Sequence, residues 1–413
     1  MAFAPRRRAR RLWDYLRSER RTLRQGFAAL LLGAVTSFVA GITLASITDT
    51  LKALPGLLIL IPAILGMRGT VFGAIGARLG TATHIGLFEV TRERTGVLYQ
   101  NVFVGVTSTL YSSLYLAALA KLSALAFGLR SISFLKFVTI SVVGGVLDSA
   151  FILVLTIGLS VISYRRGYDL DAVSTPVVTA AADMTTVPLL YLATFLTRIG
   201  WLNTTVAILG IVFGLYAMVR GALTDMPLAR RIFFEMALII VLTPVLDIIA
   251  GTLVEARLDR FTALPGLLLL VPPFVATAGS LGGILSSRLS SKLQLGLISA
   301  RGMPEALAAL DAGLTVAFGI VVFLFMGSLA LGYSVLAGKA YPGATTMVLG
   351  TLLAGLMALV IAIPVSYYVA VGTTRRGWDP DNFSVPWITS VMDLGGTAVL
   401  LAALAVFGVT LHV

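Results

Sequence analysis

The sequence has no cysteine and only two histidines, His84 and His412. That inventory excludes disulfides, thiolate metal sites and a cysteine nucleophile, and it leaves too little imidazole for a histidine-rich centre. Charge is scarce as well. Asp, Glu, Lys and Arg together make up 12% of the residues, against roughly 25% in an ordinary soluble domain. No Ser/His/Asp set and no H-E-x-x-H run occurs, so no enzymatic chemistry is expected. What is abundant is apolar: 58% of the 413 residues are hydrophobic and the mean hydropathy is +0.96. Long apolar stretches separated by short polar links place such a chain in a bilayer.

Eleven apolar segments can be read, at about 27–48, 54–80, 98–127, 134–163, 173–198, 200–220, 236–257, 264–290, 308–337, 343–372 and 384–410. Each is long enough to cross a hydrocarbon core of about 30 Å as a helix, with tilt for the longer ones. The net charge of +12 does not point to nucleic acid, because nine of the 31 basic residues lie between Arg6 and Arg24, ahead of the first span. A cluster there sets membrane orientation, and it can also lie along anionic lipid. With alternating links, 20 basic residues fall on the N-terminal side and eight on the other, while Arg68, Arg78 and Arg288 sit inside spans. The expectation is a multi-pass cell-membrane protein with a cytoplasmic N-terminus, an extracytoplasmic C-terminus and no removed signal peptide.

Self-comparison reveals a repeat. A shift of 210 residues aligns Leu54-Pro55-Gly56-Leu57-Leu58 with Leu264-Pro265-Gly266-Leu267-Leu268, and Arg165-Arg166-Gly167 with Arg375-Arg376-Gly377. Nine of the 19 positions from 165 to 183 are identical in the second copy. Each copy holds five spans, so direct fusion would invert the second. The segment at 200–220 has no counterpart and adds the one crossing that restores the orientation. The predicted fold is therefore an all-α polytopic membrane protein with 11 transmembrane helices, two parallel five-helix repeats joined by one linking helix. Its parts are a basic N-terminus (1–26), a first repeat (27–198), a linking helix and loop (199–235) and a second repeat (236–410). Parallel repeats imply a pseudo-two-fold axis along the membrane normal, as in a dimer of five-span subunits. One chain then mimics the dimer, and a monomer suffices.

Carboxylates inside the spans carry the functional signal, because an Asp at the centre of a membrane helix costs about 2.5–3.5 kcal/mol to insert. Asp183 and Asp393 occupy equivalent positions, about 12 residues or 18 Å of rise into the last helix of each repeat. Thr179 and Thr389 lie one turn earlier on the same face. Two acids converging on a symmetry axis need a cation or a shared proton. Oxygen ligands without thiolate or imidazole favour Mg²⁺, Ca²⁺ or Mn²⁺, and a carboxylate pair around a largely hydrated ion suits Mg²⁺. Two further acids, Asp148 and Asp247, correspond to Ala358 and Ser37. Such unmatched carboxylates suit a coupling-ion site of an exchanger, or alternatively a structural role in which hydroxyls or an arginine satisfy them. Pro62 and Pro272, each followed by small residues, either break a helix to present carbonyls or permit close packing. Arg78 and Arg288 are expected to snorkel or to neutralise helix C-termini.

These residues resemble the MgtE-type magnesium transporters, especially the two-repeat form of the eukaryotic magnesium solute carriers. The resemblance rests on the P-x-x-T-x-x-x-D runs Pro176 to Asp183 and Pro386 to Asp393, and on the Pro and small residues of the second span. It implies five spans per repeat and magnesium contacts at Asp183 and Asp393. It also implies a pore lined by second-span backbone around Gly66, Gly69, Ala276 and Gly279. The expected cargo is Mg²⁺ or another divalent cation, with no organic cofactor and no nucleic acid. The alternative readings are a cation- or proton-coupled carrier of another solute and a non-transport membrane assembly subunit.

Overall fold

The structure is a computed structural model that describes residues 20–84, 88–89, 91, 93–166, 170–300, 302–376 and 380–409. Most of the N-terminal arginine cluster, His412 and the loop acids Asp169 and Asp379 lie outside the described residues. The chain is all helix, with no strand among the described residues. In hydrocarbon every backbone N–H and C=O must find its partner internally, and an α-helix achieves that within one segment.

Eleven helices among the described residues are long and apolar enough to span a membrane. They are α1 (Arg20–Ser46), α2 (Leu57–His84), α3 (Val97–Ala126), α4 (Phe134–Arg166), α5 (Leu170–Thr194), α6 (Gly200–Ala222), α7 (Pro227–Glu255), α8 (Val271–Gln294), α9 (Ala306–Leu336), α10 (Thr351–Arg376) and α11 (Pro380–Val406). Boundaries differ from the apolar segments chiefly at α7, which starts at Pro227, nine residues before the hydrophobic stretch. Proline there needs no N–H partner, so helix extends into polar sequence. Helices α3 and α9 end alike. Gly128 and Gly338 adopt φ of 64° and 61°, and the next residues' N–H groups return to the carbonyls of Ala124 and Ser334 at 2.8 and 2.9 Å. Glycine is favoured in this left-handed closing turn.

Proline placement differs between the halves. In α2 the helix runs unbroken through Pro62 and past Gly66, whose carbonyl accepts the Thr70 hydroxyl at 3.0 Å. The second half instead has a short helix, Pro265–Leu268, before α8, whose first turn contains Pro272 and Pro273. Neither arrangement unwinds the Gly-bearing stretch, which stays helical in both halves.

The two halves interlock reciprocally. Helix α1 packs on α8, and α7 packs on α2. A Cβ at Gly41 would collide with the Leu269 carbonyl, and one at the equivalent Gly251 with the Ile59 carbonyl. Helix α6 lies outside this arrangement against α3 and α4, with most of its apolar surface outward.

Candidate cation site

Between the halves lies a cavity of about 1000 Å³. Asp183, Asp393, Thr179, Thr389, Gly66, Gly69 and Ala276 all line it. Gly279 does not: its Cα faces Thr389, whose Cγ2 would lie 3.2 Å from a Cβ placed there, so its smallness serves the α8–α11 contact. Gly69 is open, with nothing within 4 Å of the same construction. Thr389 donates its hydroxyl proton to the carbonyls of Val385 and Pro386, which leaves the oxygen's lone pairs as acceptors. One end of the cavity is apolar, lined by Leu44, Leu58, Val254 and Leu268; the other carries Arg78, Thr81, Ser287 and the Arg231–Glu235 pair.

The carboxylates are held differently. Asp183 is half-buried and its Oδ2 accepts a 2.7 Å hydrogen bond from Ser37 on α1. Asp393 is buried beside Asp247 of α7. Asp247 itself is 1% exposed, and neither of its oxygens has a hydrogen-bond partner. Gly66 lies under both acids: a Cβ on it would stand 3.0 Å from Asp247 Oδ2 and 3.5 Å from Asp393 Oδ2. No group of three or more Asp, Glu, His or Cys among the described residues is gathered tightly enough to enclose a metal ion.

Asp148 sits elsewhere, in a buried network. Its two oxygens accept hydroxyl protons from Thr185 and Thr186, each at 2.7 Å. Arg68 Nε stands 3.7 Å from Asp148 Oδ2. The guanidinium, fully buried, also donates to Thr109, Ser149 and Ser113. Arg68 was not singled out by the sequence as a partner of Asp148. The signal was available, since both charges vanish together in the second repeat, at Ala278 and Ala358.

Other charges have specific partners. Arg288 and Lys292 both pair with Asp311, at 2.9 and 2.5 Å, so Arg288 is a buried-pair residue more than a snorkelling one. Arg78 lines the cavity and reaches the Met236 sulfur. Glu255 is buried; it accepts the backbone N–H groups of Gly56 and Leu58. The side chains of Pro176, Asp171 and Asp381 lie outside the described residues.

Eleven helices among the described residues are long and apolar enough to span a membrane, and Asp183 and Asp393 line the cavity between the halves. The MgtE family profile, described as a divalent cation transporter, matches residues 61–193 and 271–403, two segments separated by the same 210 residues. The chain belongs to the MgtE family. It is similar to solute carrier family 41 member 2 of Mus musculus, with 24% identity over 389 residues that cover 85% of this chain and 64% of that protein. Solute carrier family 41 member 3 of Rattus norvegicus is 23% identical over 397 residues, covering 90% of this chain and 84% of that protein. The chain thus spans just under two thirds of the mouse relative.

Proposed function

We propose that this protein moves Mg²⁺ across the membrane through the cavity between its halves. Asp183 and Asp393 are the charged contacts for a partly hydrated ion, Thr179 and Thr389 supply hydroxyl oxygens, and Gly66, Gly69 and Ala276 keep the passage wide. The observation that carries this reading is that two carboxylates from equivalent positions, set in apolar helices, open on one cavity. A positive charge in the cavity offsets the expense of holding them in a membrane interior. The absence of thiolate, and of imidazole from the cavity lining, favours a hard cation that retains water. Asp148 has its partners within the protein and acts structurally, whereas Asp247, which is not part of the cavity lining itself, stands beside Asp393 with neither oxygen hydrogen-bonded.

Purified protein in liposomes tests the reading. Mg²⁺ uptake should be measurable, and Na⁺, H⁺ and voltage gradients imposed one at a time should identify the driving force. Asp183→Asn and Asp393→Asn should each reduce uptake, and no flux under any gradient overturns the proposal. We further place the N-terminus in the cytoplasm, the C-terminus outside and a monomer as the working unit. Because the chain has no cysteine, Asp225→Cys and Lys339→Cys each create a unique thiol. An impermeant reagent applied from outside should label the second and spare the first.

A further inference from the structure

The cavity is not symmetric at its acids. Ser37 and Asp247 occupy equivalent positions, as do Ala276 and Gly66. In the first half a hydroxyl donates to Asp183 Oδ2 at 2.7 Å and takes up one of its lone pairs. In the second half the equivalent neighbour of Asp393 is another acid. Asp247 is 1% exposed and both its oxygens lack a donor. Its Oδ2 and that of Asp393 converge over Gly66, within 3.0 and 3.5 Å of the point a Cβ would occupy. Ala276 carries that Cβ in the other half. Two buried carboxylates aimed at one spot cannot both keep their charge unless a cation or a shared proton lies between them, and Asp247 accepts no hydrogen bond like the one Ser37 gives Asp183.

We infer that the divalent cation binds off the axis between the halves, bridged by Asp247 and Asp393 beside Gly66, with Asp183 as a secondary contact. This rests on the reading that the cavity carries such an ion. The site is built by two coordinated differences: a second acid in place of a hydroxyl, and a glycine in place of an alanine. The mirror position is disabled by both, since Ser37 removes a charge and the Ala276 methyl takes up space. Two carboxylates match the 2+ charge of the ion, and the remaining ligands are water.

Mg²⁺ affinity of the purified full chain in detergent, read by isothermal titration calorimetry, tests this. Asp247→Asn and Asp393→Asn should each raise Kd by about tenfold or more, and Asp183→Asn by about threefold. Thermal unfolding without Mg²⁺ controls for folding. A transplant keeps the test independent of simple loss: Ser37→Asp and Ala276→Gly combined with Asp247→Ser and Gly66→Ala should move the site to the first half. In that background Asp183→Asn should become the more damaging change.

Wild-type affinity in Asp247→Asn, with losses in both Asp183→Asn and Asp393→Asn, would place the ion on the axis. That result overturns this inference and leaves the transport reading standing. Unchanged Mg²⁺ affinity with an altered pH dependence of uptake in Asp247→Asn would mean that the pair shares a proton, and it overturns the inference equally. No Mg²⁺ binding by the unmodified chain removes the transport reading itself.

Discussion

The same helix junction is built from charge in one half of the molecule and from hydrocarbon in the other. In the first half Arg68 and Asp148 are joined by Thr109, Ser113, Ser149, Thr185 and Thr186. At the equivalent positions the second half has Ala278, Ala358, Gly319, Phe323, Leu359, Gly395 and Gly396. The space is refilled coherently. A Cβ at Gly145 would strike Arg68 and Ser113, whereas one at the equivalent Gly355 would strike the Phe323 ring. The 2.9 Å hydroxyl contact of Thr109 with Ser149 becomes a close approach of Leu359 to Gly319. Phe323 also packs at a tilt against Phe274, centroids 5.2 Å apart. A buried ion pair and a well-packed apolar cluster can therefore serve one backbone, provided all members change together. That agrees with the general finding that such pairs stabilise little over hydrophobic replacements but are costly to break singly.

The sharpest way to break this comparison is to remove one charge. Arg68→Ala strands a buried carboxylate and should cost about 3–5 kcal/mol in the unfolding free energy measured in detergent. Adding Asp148→Ala, which copies Ala278 and Ala358, should recover at least half of that loss. If the double variant is no more stable than the single one, the halves are not interchangeable in this sense. On the apolar side, Phe323 is completely buried, and Phe323→Ala should cost about 3 kcal/mol through the cavity it leaves. No second substitution of a charged residue should rescue it, since nothing polar is left unpaired.

Much of the fold was legible because membrane helices announce themselves by length and hydropathy, and duplication doubled the signal. The candidate acids were legible for the same reason: Asp183 and Asp393 recur at one spacing. What the sequence left hidden depends on helix rotation and on partners distant in the chain. Asp247 could be aligned with Ser37, but not seen to face Asp393 across Gly66. Pro62 left open a broken helix or close packing, and α2 runs through it unbroken. Gly279 shared the pattern of Gly69 but faces a neighbouring helix and not the cavity, and a one-dimensional repeat cannot distinguish the two.

A smaller effect sharpens the comparison at the start of the second span of each half. Glu255, on α7 of the second half, reaches across to the first half and accepts the N–H groups of Gly56 and Leu58 at 2.6 and 3.1 Å. Its counterpart is Ala45, and the matching Gly266 N–H goes instead to the Ala340 carbonyl at 3.0 Å. A carboxylate at a helix N-terminus gains from both the free N–H groups and the helix dipole. Glu255→Gln keeps an acceptor but loses the charge and should cost about 1 kcal/mol. Glu255→Ala orphans two buried donors and should cost about 1–3 kcal/mol. Amide hydrogen exchange should localise the change: protection at Gly56 and Leu58 falls while Gly266 and Leu268 keep theirs. Equal loosening at both sites would show that Glu255 braces the whole interface between the halves and not one helix end.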